Sequence, residues 1–332
     1  MVEVSIVIPC RNEESTIALL LDAILRQTFP TKQMEVVIAD GMSTDQTRLV
    51  IEAWKKQNPQ LSVTVIDNPQ RIIPAAINRA IAASSGSIIV RLDAHCVPQP
   101  DYIARSVEDL NAGLGDNVGG LWLIKPGADT WQAESIAAAA AHPLAVGDAR
   151  YRYSNQPGEV DTVPFGAFHR SLIDTVGGFD ETLLTNEDYE FNTRIRLSGG
   201  RIWFDPNIQS TYFARATFAE LAKQYWRYGY WKLQMLRRYP KTIRLRQALP
   251  PLFVIGLLGL LLLGLFWHSA LWVGLAVLAF YLVVLFITAV GLAGKAKRAT
   301  LLVGIPIAIT IMHFCWGAGF LWSLVSPPQK DR

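Results

Sequence analysis

Long stretches of this sequence contain no charged residue. No Asp, Glu, Lys or Arg occurs from Ala248 to Gly294, or from Ala299 to Ser326. About 20 apolar residues are enough to span a bilayer as a helix, so both stretches exceed the requirement. They exclude an entirely water-soluble C-terminal region. We predict three membrane segments, which cover residues 250–267, 272–292 and 301–324.

Cysteine is scarce, and several other features are absent. The three cysteines, Cys10, Cys96 and Cys315, form no CxxC pair. This pattern argues against a disulfide framework and fits a reducing compartment. We find no clear repeat, no low-complexity tract and no basic-then-apolar signal peptide. The net charge of only +3 gives no indication of a nucleic-acid partner.

The first 115 residues alternate short β-branched runs with helical patterns. Strands that alternate with helices predict an α/β, Rossmann-like domain with a mostly parallel sheet and helices on both faces. Ligands bind such sheets beyond the carboxyl ends of the strands. The predicted strands cover residues 4–9, 35–40, 62–66 and 87–92, and the predicted helices cover residues 16–27, 45–56 and 74–83.

The second part of the chain has a less regular pattern. Strands are predicted at residues 161–169 and 201–204, and helices at residues 186–197 and 217–238. The last of these helices is rich in tryptophan, tyrosine and basic residues. Amphipathic helices of this composition are typical of a membrane interface.

The segment "RLDAHC" places Asp93 and His95 at the end of the fourth predicted strand. Residues i and i+2 of a strand point to the same face, so the carboxylate and the imidazole emerge side by side. The pair is either a metal site, a catalytic pair or a coincidence at a loop edge. A strand-edge histidine held by a nearby hydrogen bond is the structural alternative for His95.

Five segments in order resemble family-2 inverting glycosyltransferases of the GT-A fold: "SIVIPCRNEESTI", "VIADGMSTDQT", "RLDAHC", "GGFDE…TNEDYEF" and "QYWRYG". The resemblance covers about residues 2–240 and the apolar tail, and is closest to the bacterial ExoA-type glucosyltransferases of succinoglycan assembly. It implies a cytoplasmic GT-A catalytic domain at residues 1–215 and an interfacial helix or linker at 216–246. A transmembrane region at 247–326 and a C-terminal tail at 327–332 would follow.

The resemblance also implies a donor site with a divalent cation. Family members usually carry D-x-D where this chain has Asp93 and His95, so these two residues are the expected ligands of Mn²⁺ or Mg²⁺. Imidazole favours Mn²⁺ over Mg²⁺, because softer donors suit the hardest ions less well. The residues expected to bind the nucleotide sugar are Arg11, Glu13, Asp40, Asp93 and Arg227.

The segment "TNEDYEF" is expected to supply the catalytic base. Inverting transfer needs a base that removes the proton of the acceptor hydroxyl, and the resemblance assigns this role to Asp188. An acidic helix N-terminus is the structural alternative. Glu187 is adjacent, but neighbouring helix positions point about 100° apart, so we do not expect a carboxylate dyad. The residues expected to contact the acceptor or the diphosphate are Glu187, Gln224, Arg227 and Trp231.

These features predict an enzyme that transfers a sugar, glucose by resemblance, from a UDP-sugar to a hydroxyl of a lipid-linked saccharide on a polyprenyl diphosphate. It would act in exopolysaccharide or cell-surface glycan assembly at the bacterial inner membrane. The alternatives are a polyprenyl-phosphate sugar synthase and a non-catalytic membrane protein that binds nucleotide sugars. Basic residues flank the predicted first membrane segment and separate the second from the third. The positive-inside rule then places residues 1–247 in the cytoplasm and the C-terminus outside, unless the third segment re-enters.

Overall fold

The computed structural model describes residues 2–326, so the predicted tail at 327–332 lies outside the described residues. The described chain forms two compact units. The first contains the residues up to Leu123 and Ala149–Tyr212, and the second contains Ile124–Asp148 and the residues from Phe213 onward. The predicted domain division at residues 215 and 246 remains a prediction, and the inserted segment that joins the second unit was not foreseen.

One nine-stranded sheet organises the first unit in the described part of the chain. Its strands follow the order β3-β2-β1-β4-β8-β6-β9-β5, with β7 paired to β9. The strands are β1 Val4–Cys10, β2 Met34–Asp40, β3 Ser62–Asp67, β4 Ile88–Arg91, β5 Cys96–Pro98, β6 Asn117–Lys125, β7 Gly158–Glu159, β8 Ala167–His169 and β9 Ile202–Phe213.

The first four strands of this order are parallel, and they bring distant polar residues together. Cys10 pairs with Asp40, and Asp40 pairs with Asp67, so the carboxyl ends of β1, β2 and β3 lie side by side. Beyond β4 the sheet continues with antiparallel pairs, such as β4 with β8 and β6 with β8. The predicted α/β fold is therefore confirmed as a mixed sheet.

Two predicted strands differ from the observed ones. The strand predicted at residues 161–169 is formed only at its end, by β8, and the one predicted at 201–204 extends to Phe213 in β9. β9 lies between β6 and β5 in the sheet and also pairs with β7, and all three partners are far away in sequence. Its length is therefore determined by partners that no local pattern indicates.

Twelve α-helices occur among residues 2–326. They are α1 Ile17–Leu25, α2 Thr47–Gln57, α3 Ile73–Ala82, α4 Tyr102–Asn111, α5 Trp131–Ala140, α6 Pro143–Val146, α7 Ser171–Val176, α8 Glu187–Leu197, α9 Phe218–Arg238, α10 Leu245–Gly264, α11 His268–Ala296 and α12 Leu301–Val325. The five helices predicted before the membrane segments lie within two residues of the predicted ends, whereas α10 and α11 begin five and four residues before the predicted first and second membrane segments.

Burial explains why the sheet and its helices pack together. All seven residues of β1 are buried, and α1 covers the sheet with one apolar face that includes Ile17, Leu20, Leu21 and Ile24. This spacing is that of one side of an α-helix. The three cysteines are free, and Cys10 and Cys96 are buried.

The second unit contains α9 and three long apolar helices, α10, α11 and α12, each long and apolar enough to cross a membrane. The helix α9 begins with a capping box, in which Thr217 accepts from the backbone N–H of Glu220 and Glu220 accepts from the backbone N–H of Thr217. Such a cap satisfies donors that the first helical turn leaves unpaired.

Candidate active site

Arg91 lies at the centre of the acidic cluster that the sheet and α8 form together. It is the last residue of β4 and is only 2 % exposed. Its guanidinium donates to Asp93 Oδ1 at 3.0 Å, to Glu187 Oε1 at 3.0 Å and to Asp188 Oδ1. A guanidinium carries five N–H donors in one plane, so a single arginine can serve three carboxylates. The cluster brings together the predicted metal ligand Asp93 and the predicted base Asp188.

The two acids of α8 converge more than the helical geometry suggested. Glu187 and Asp188 occupy the first turn of α8, where the positive end of the helix dipole favours acids. We expected their side chains to point apart, yet both contact the Arg91 guanidinium. The expectation considered only the direction of the Cβ atoms, whereas the longer Glu187 side chain can bend back towards the same cation.

Burial raises the pKa of Asp188 to about 7. The charge of Arg91 opposes this rise, and the neighbouring carboxylates of Glu187 and Asp93 add to it. The cluster therefore contains three carboxylates and one guanidinium, so the acids compete for one positive charge. A carboxyl whose pKa lies near neutral pH suits a group that accepts a proton during catalysis.

His95 is oriented by Glu13, which lies on the loop after β1. The His95 Nδ1 atom lies 3.0 Å from Glu13 Oε1, and Thr16 donates to the other Glu13 oxygen at 2.5 Å. If Nδ1 carries the proton, Nε2 has a lone pair that can bind a metal, and the carboxylate fixes this tautomer. Such an arrangement fits a metal ligand as well as the strand-edge alternative.

The possible protein ligands fit a metal ion that the substrate helps to bind. No group of three or more His, Cys, Asp or Glu side chains between residues 2 and 326 is arranged to hold a metal. Asp93 and His95 would therefore supply two ligands, and the oxygens of a diphosphate would supply others. Cations bound by one or two protein groups together with substrate phosphates are common in enzymes that act on nucleotides.

Asp40 is buried, and its carboxylate is occupied by protein partners. It has no exposed area, and it accepts from Ser43 Oγ at 2.5 Å and from Arg48 Nε at 2.6 Å. Arg48 also donates to Asp67, the residue that pairs with Asp40 in the sheet. A direct contact between Asp40 and the nucleotide base remains a prediction, and Arg48 is the exposed group through which Asp40 can act.

The loops after β1 and β2 hold each other through backbone and side-chain hydrogen bonds. Asn12 N donates to Ser43 Oγ at 2.8 Å, and Asn12 Oδ1 accepts from Thr44 N at 2.8 Å. Asn12 has a positive φ of 56°, an uncommon conformation that asparagine tolerates better than most residues. Arg11 is exposed on this loop, and its side chain lies against Gly41. The loop pair thus fixes the surroundings of Arg11 and Glu13.

The other three predicted site residues belong to α9 of the second unit. Gln224 Nε2 donates to Tyr228 Oη at 2.9 Å, and Arg227 is exposed. Trp231 is 4 % exposed, and its ring packs edge-on against Tyr230 with centroids 5.6 Å apart. Their contacts with an acceptor or a diphosphate remain predictions.

Arg91 and Arg48 are the functional candidates that the sequence analysis missed. Arg91 interrupts an otherwise apolar strand, and a charge at such a position needs a buried partner, which is a signal in the sequence itself. Arg48 has no comparable signal, because a basic residue on an amphipathic helix is ordinarily solvated. Only the parallel pairing of β2 with β3 brings Asp40 and Asp67 within its reach.

Comparisons with known proteins agree with this geometry. Residues 5–177 match the family described as "Glycosyl transferase family 2". The chain is 32 % identical to the succinoglycan biosynthesis protein ExoA of Rhizobium meliloti (strain 1021), over 95 % of this chain and 93 % of the relative. It is 26 % identical, over 97 % of both chains, to the dolichyl N-acetyl-alpha-D-glucosaminyl phosphate 3-beta-D-2,3-diacetamido-2,3-dideoxy-beta-D-glucuronosyltransferase of Methanococcus voltae.

Solved structures support the fold. The mannosyltransferase PcManGT from Pyrobaculum calidifontis, in complex with GDP-Man and Mn²⁺, superposes with a TM-score of 0.64 at 21 % identity, over 97 % of this chain and 87 % of that one. The S. aureus TarS fragment 1–349 in complex with UDP-GlcNAc superposes with a TM-score of 0.51 at 20 % identity, over 64 % of this chain and 59 % of that one. The family match and the full-length similarity together show that this chain is a glycosyltransferase that belongs to family 2.

Proposed function

We propose that the protein is a metal-dependent, inverting glycosyltransferase that transfers glucose from UDP-glucose to a hydroxyl of a lipid-linked saccharide. The observation that carries this proposal is the Arg91 cluster, which joins Asp93 on the donor side to Asp188, a carboxyl with a raised pKa. Transfer to a hydroxyl needs a donor site and a base close together, and this cluster supplies candidates for both.

Asp188 acts as the base in this proposal. The acceptor oxygen forms a bond to the anomeric carbon while the bond from that carbon to the diphosphate oxygen breaks, and UDP leaves with the electron pair. The hydroxyl proton passes to the Asp188 carboxylate, whose raised pKa makes it a better proton acceptor than an ordinary aspartate. Arg91 holds the carboxylate in place through its hydrogen bond to Oδ1.

Asp93 and His95 would hold a Mn²⁺ or Mg²⁺ ion, with Glu13 orienting His95. A bound cation would neutralise the charge that develops on the leaving diphosphate. The structural neighbour from Pyrobaculum calidifontis contains Mn²⁺, which supports this type of cofactor. Arg11, Asp40 with its partner Arg48, and Arg227 would contact the nucleotide or its phosphates.

The lipid-linked acceptor is inferred from the relatives, whereas UDP-glucose as the donor rests on the resemblance of the sequence motifs. The relative from Rhizobium meliloti is named for succinoglycan biosynthesis, and the relative from Methanococcus voltae acts on a dolichyl-linked sugar phosphate. Both names fit glycan assembly, and the second indicates an acceptor on a membrane lipid. The apolar helices of this chain fit an enzyme that meets such an acceptor at the bilayer. The positive-inside rule places residues 1–247 on the cytoplasmic side of the bacterial inner membrane.

An assay of the full-length protein in lipid nanodiscs tests the proposal. UDP-glucose, UDP-GlcNAc and GDP-mannose are offered with either a lipid-linked saccharide or a polyprenyl phosphate, and release of the nucleoside diphosphate is measured. We expect acceptor-dependent turnover with UDP-glucose and the saccharide acceptor. Turnover with polyprenyl phosphate alone would instead identify a polyprenyl-phosphate sugar synthase, and donor binding without turnover would identify a non-catalytic binding protein.

The Asp188→Asn variant tests the base. It preserves shape and hydrogen bonding but cannot accept the proton, so kcat should fall by about 10²–10⁴-fold while the donor Kd changes little. Glu187→Gln should cost less, and Asp174→Asn, which alters an exposed carboxylate on α7, should leave turnover unchanged. Near-normal turnover in Asp188→Asn would contradict the role of Asp188 as the base. It would instead fit the polyprenyl-phosphate alternative, because an anionic phosphate acceptor attacks without deprotonation.

A further inference from the structure

The helices α10 and α11 form an antiparallel hairpin with one consistent register. A Cβ atom on Gly264 would lie 2.9 Å from Leu271 Cβ, and one on Gly274 would lie 3.3 Å from Leu260 Cβ. Further from the turn, the rings of Phe253 and Tyr281 lie 4.9 Å apart. The turn of this hairpin is called its tip, and the opposite end, where α10 begins and α11 ends, is called its base.

The tip and the base differ in charge. The tip carries exposed apolar residues, with Phe266 90 % and Trp267 64 % exposed. The base carries all the nearby charge: Arg244 and Arg246 lie at the start of α10, and Lys295, Lys297 and Arg298 lie at and after the end of α11. If the hairpin crosses a bilayer twice, the positive-inside rule therefore places its base on the cytoplasmic side.

The first half of α12 begins at the base. Arg298 Nη2 lies 3.6 Å from Glu134 Oε1 of α5. A Cβ atom on Gly304 would lie only 1.9 Å from the Oγ atom of Ser135, which also belongs to α5. Further along, the His313 side chain contacts α11, where its Nδ1 atom lies 3.1 Å from Tyr281 Oη.

The second half of α12 also contacts the base of the hairpin. Trp316 Nε1 donates to the carbonyl oxygen of Gln247 at 3.2 Å, and a Cβ atom on Gly317 would lie 2.6 Å from the carbonyl oxygen of Pro250. Both contacts involve the first turns of α10. At the end of α12, Ser323 accepts from Gln234 Nε2 at 2.8 Å, and its carbonyl accepts from Arg237 at 2.8 Å.

These contacts are incompatible with a helix that runs from base to tip. The 25 residues of α12 correspond to about 37 Å at 1.5 Å per residue, which is enough to cross a bilayer. A crossing helix would bring its last turns beside Gly264 and Gly274 at the tip. Instead, residues 316–323 contact the start of α10 and the end of α9. Both ends of α12 therefore lie at the base of the hairpin.

The two faces of α12 fit a helix that lies along one leaflet. The inner face is rich in small residues, and Gly229 of α9 and Gly319 of α12 let the two backbones approach closely. The outer face is apolar and free of acidic and basic residues, and its exposed side chains lie in the first two and last two turns of α12: Val303, Ile307, Trp322, Leu324 and Val325. An exposed apolar face flanked by basic residues and tryptophan suits the boundary between headgroups and acyl chains.

We infer that α12 lies in the plane of the membrane against a single leaflet, so that residues 2–326 cross the bilayer only twice, through α10 and α11. The outer face of α12 then contacts the lipids of the leaflet on the side of the base. The end of α12 then lies on the same side of the membrane as Arg237 and Arg244, whereas the positive-inside rule with three crossings would place the C-terminus outside. This inference depends on the membrane anchorage and orientation proposed above.

Cysteine labelling of the full-length protein in membrane vesicles tests the inference. Single cysteines are introduced by Gln329→Cys after α12 and by Phe266→Cys at the tip, and a membrane-impermeant maleimide is applied to right-side-out and inverted vesicles. The unsubstituted protein serves as the control for the native cysteines. We expect Gln329→Cys to be labelled only in inverted vesicles and Phe266→Cys only in right-side-out vesicles.

The outcomes separate the inference from the proposal on which it depends. Labelling of both cysteines from outside the cell would show that α12 crosses the membrane, and would overturn the inference while leaving the anchorage intact. Labelling of both only in inverted vesicles would show that the hairpin does not cross, and would overturn the proposed anchorage itself. A phosphatase fused after residue 332 gives a second reading, because it should be inactive if the inference is right.

Discussion

At the scale of single residues, Arg91 determines the electrostatics of the site. It is the common partner of Asp93, Glu187 and Asp188, which belong to two separate parts of the chain. Burying a cation with several acidic partners costs desolvation free energy, and well-aligned hydrogen bonds between them must offset this cost. We therefore expect substitutions at Arg91 to affect both stability and catalysis.

The pH dependence of turnover should reveal the raised pKa of Asp188. A base must be ionised, so kcat should rise with pH and level off above about 7 instead of near the ordinary aspartate value of 3.8. The free energy of unfolding depends on pH in the opposite direction. Because folding raises the pKa of Asp188, its stabilising contribution is complete below the pKa of the unfolded chain and is lost as the pH rises through about 7. Asp188→Asn should remove the acidic limb of the rate profile. A profile that is flat from pH 5 to pH 8 in the unsubstituted enzyme would contradict this prediction.

Replacement of Arg91 should disturb the cluster more than the loss of a surface ion pair. Arg91→Gln leaves three carboxylates without their shared cation, so the free energy of unfolding should fall by about 3–5 kcal/mol. The acidic limb of the rate profile should also move to higher pH, because the Asp188 carboxylate loses its stabilising charge.

The matched control is Arg105→Gln. It breaks the ion pair between Arg105 of α4 and Asp101, the residue before that helix, and both side chains are half-exposed. Exposed pairs contribute little, so stability should hardly change. Arg91→Lys keeps the charge but not the planar fork, and should recover only part of both effects. Equal losses in denaturant unfolding for Arg91→Gln and Arg105→Gln would argue against a central role for Arg91.

The choice of metal should depend on His95. His95→Asp restores the D-x-D pattern and supplies a harder ligand, so we expect activity to persist and the preference to shift from Mn²⁺ towards Mg²⁺. The new carboxylate would lie near Glu13, the present partner of His95, so higher metal concentrations should be needed. Activity titrated with each metal after chelator treatment measures both effects, and an unchanged Mn²⁺/Mg²⁺ ratio would count against ligation by His95.

At the scale of elements, the contact between α9 and α12 depends on two glycines. A Cβ atom on Gly319 would lie 2.3 Å from the carbonyl oxygen of Trp226, and one on Gly229 would lie 2.0 Å from the carbonyl oxygen of Trp316. Backbone atoms cannot move aside as a flexible side chain can. The glycines are therefore required by the close approach of the two helices.

Gly319→Ala should loosen this contact. Overpacking of this kind costs about 1–3 kcal/mol, and the thermal unfolding midpoint in detergent should fall accordingly. Gly256→Ala on α10 is the matched control, because no atom lies within 4 Å of the added methyl group and alanine favours a helix. A midpoint that is lower in both variants by the same amount would show that the effect is not specific to the α9–α12 contact.

At the scale of the whole molecule, the family and the fold class could be predicted from sequence. The alternation of strands and helices predicts α/β, and five motifs in order indicate family 2; the sheet and the comparisons confirm both. The antiparallel half of the sheet was not predicted. Its strands β5 and β7 contain three and two residues, too few to produce a recognisable period, and β8 forms only the end of the strand predicted at residues 161–169.

Local sequence patterns are enough to predict which residue types stand at the strand ends and which segments are apolar enough to enter a membrane, because both are properties of short segments. The link that Arg91 makes between Asp93 and the acids of α8 depends on the folded chain, since Glu187 and Asp188 lie 96 and 97 positions after Arg91. Tertiary structure also decided where α12 ends. Hydropathy counts apolar residues, but the direction of a helix depends on its partners, and those of α12 belong to α5, α9, α10 and α11.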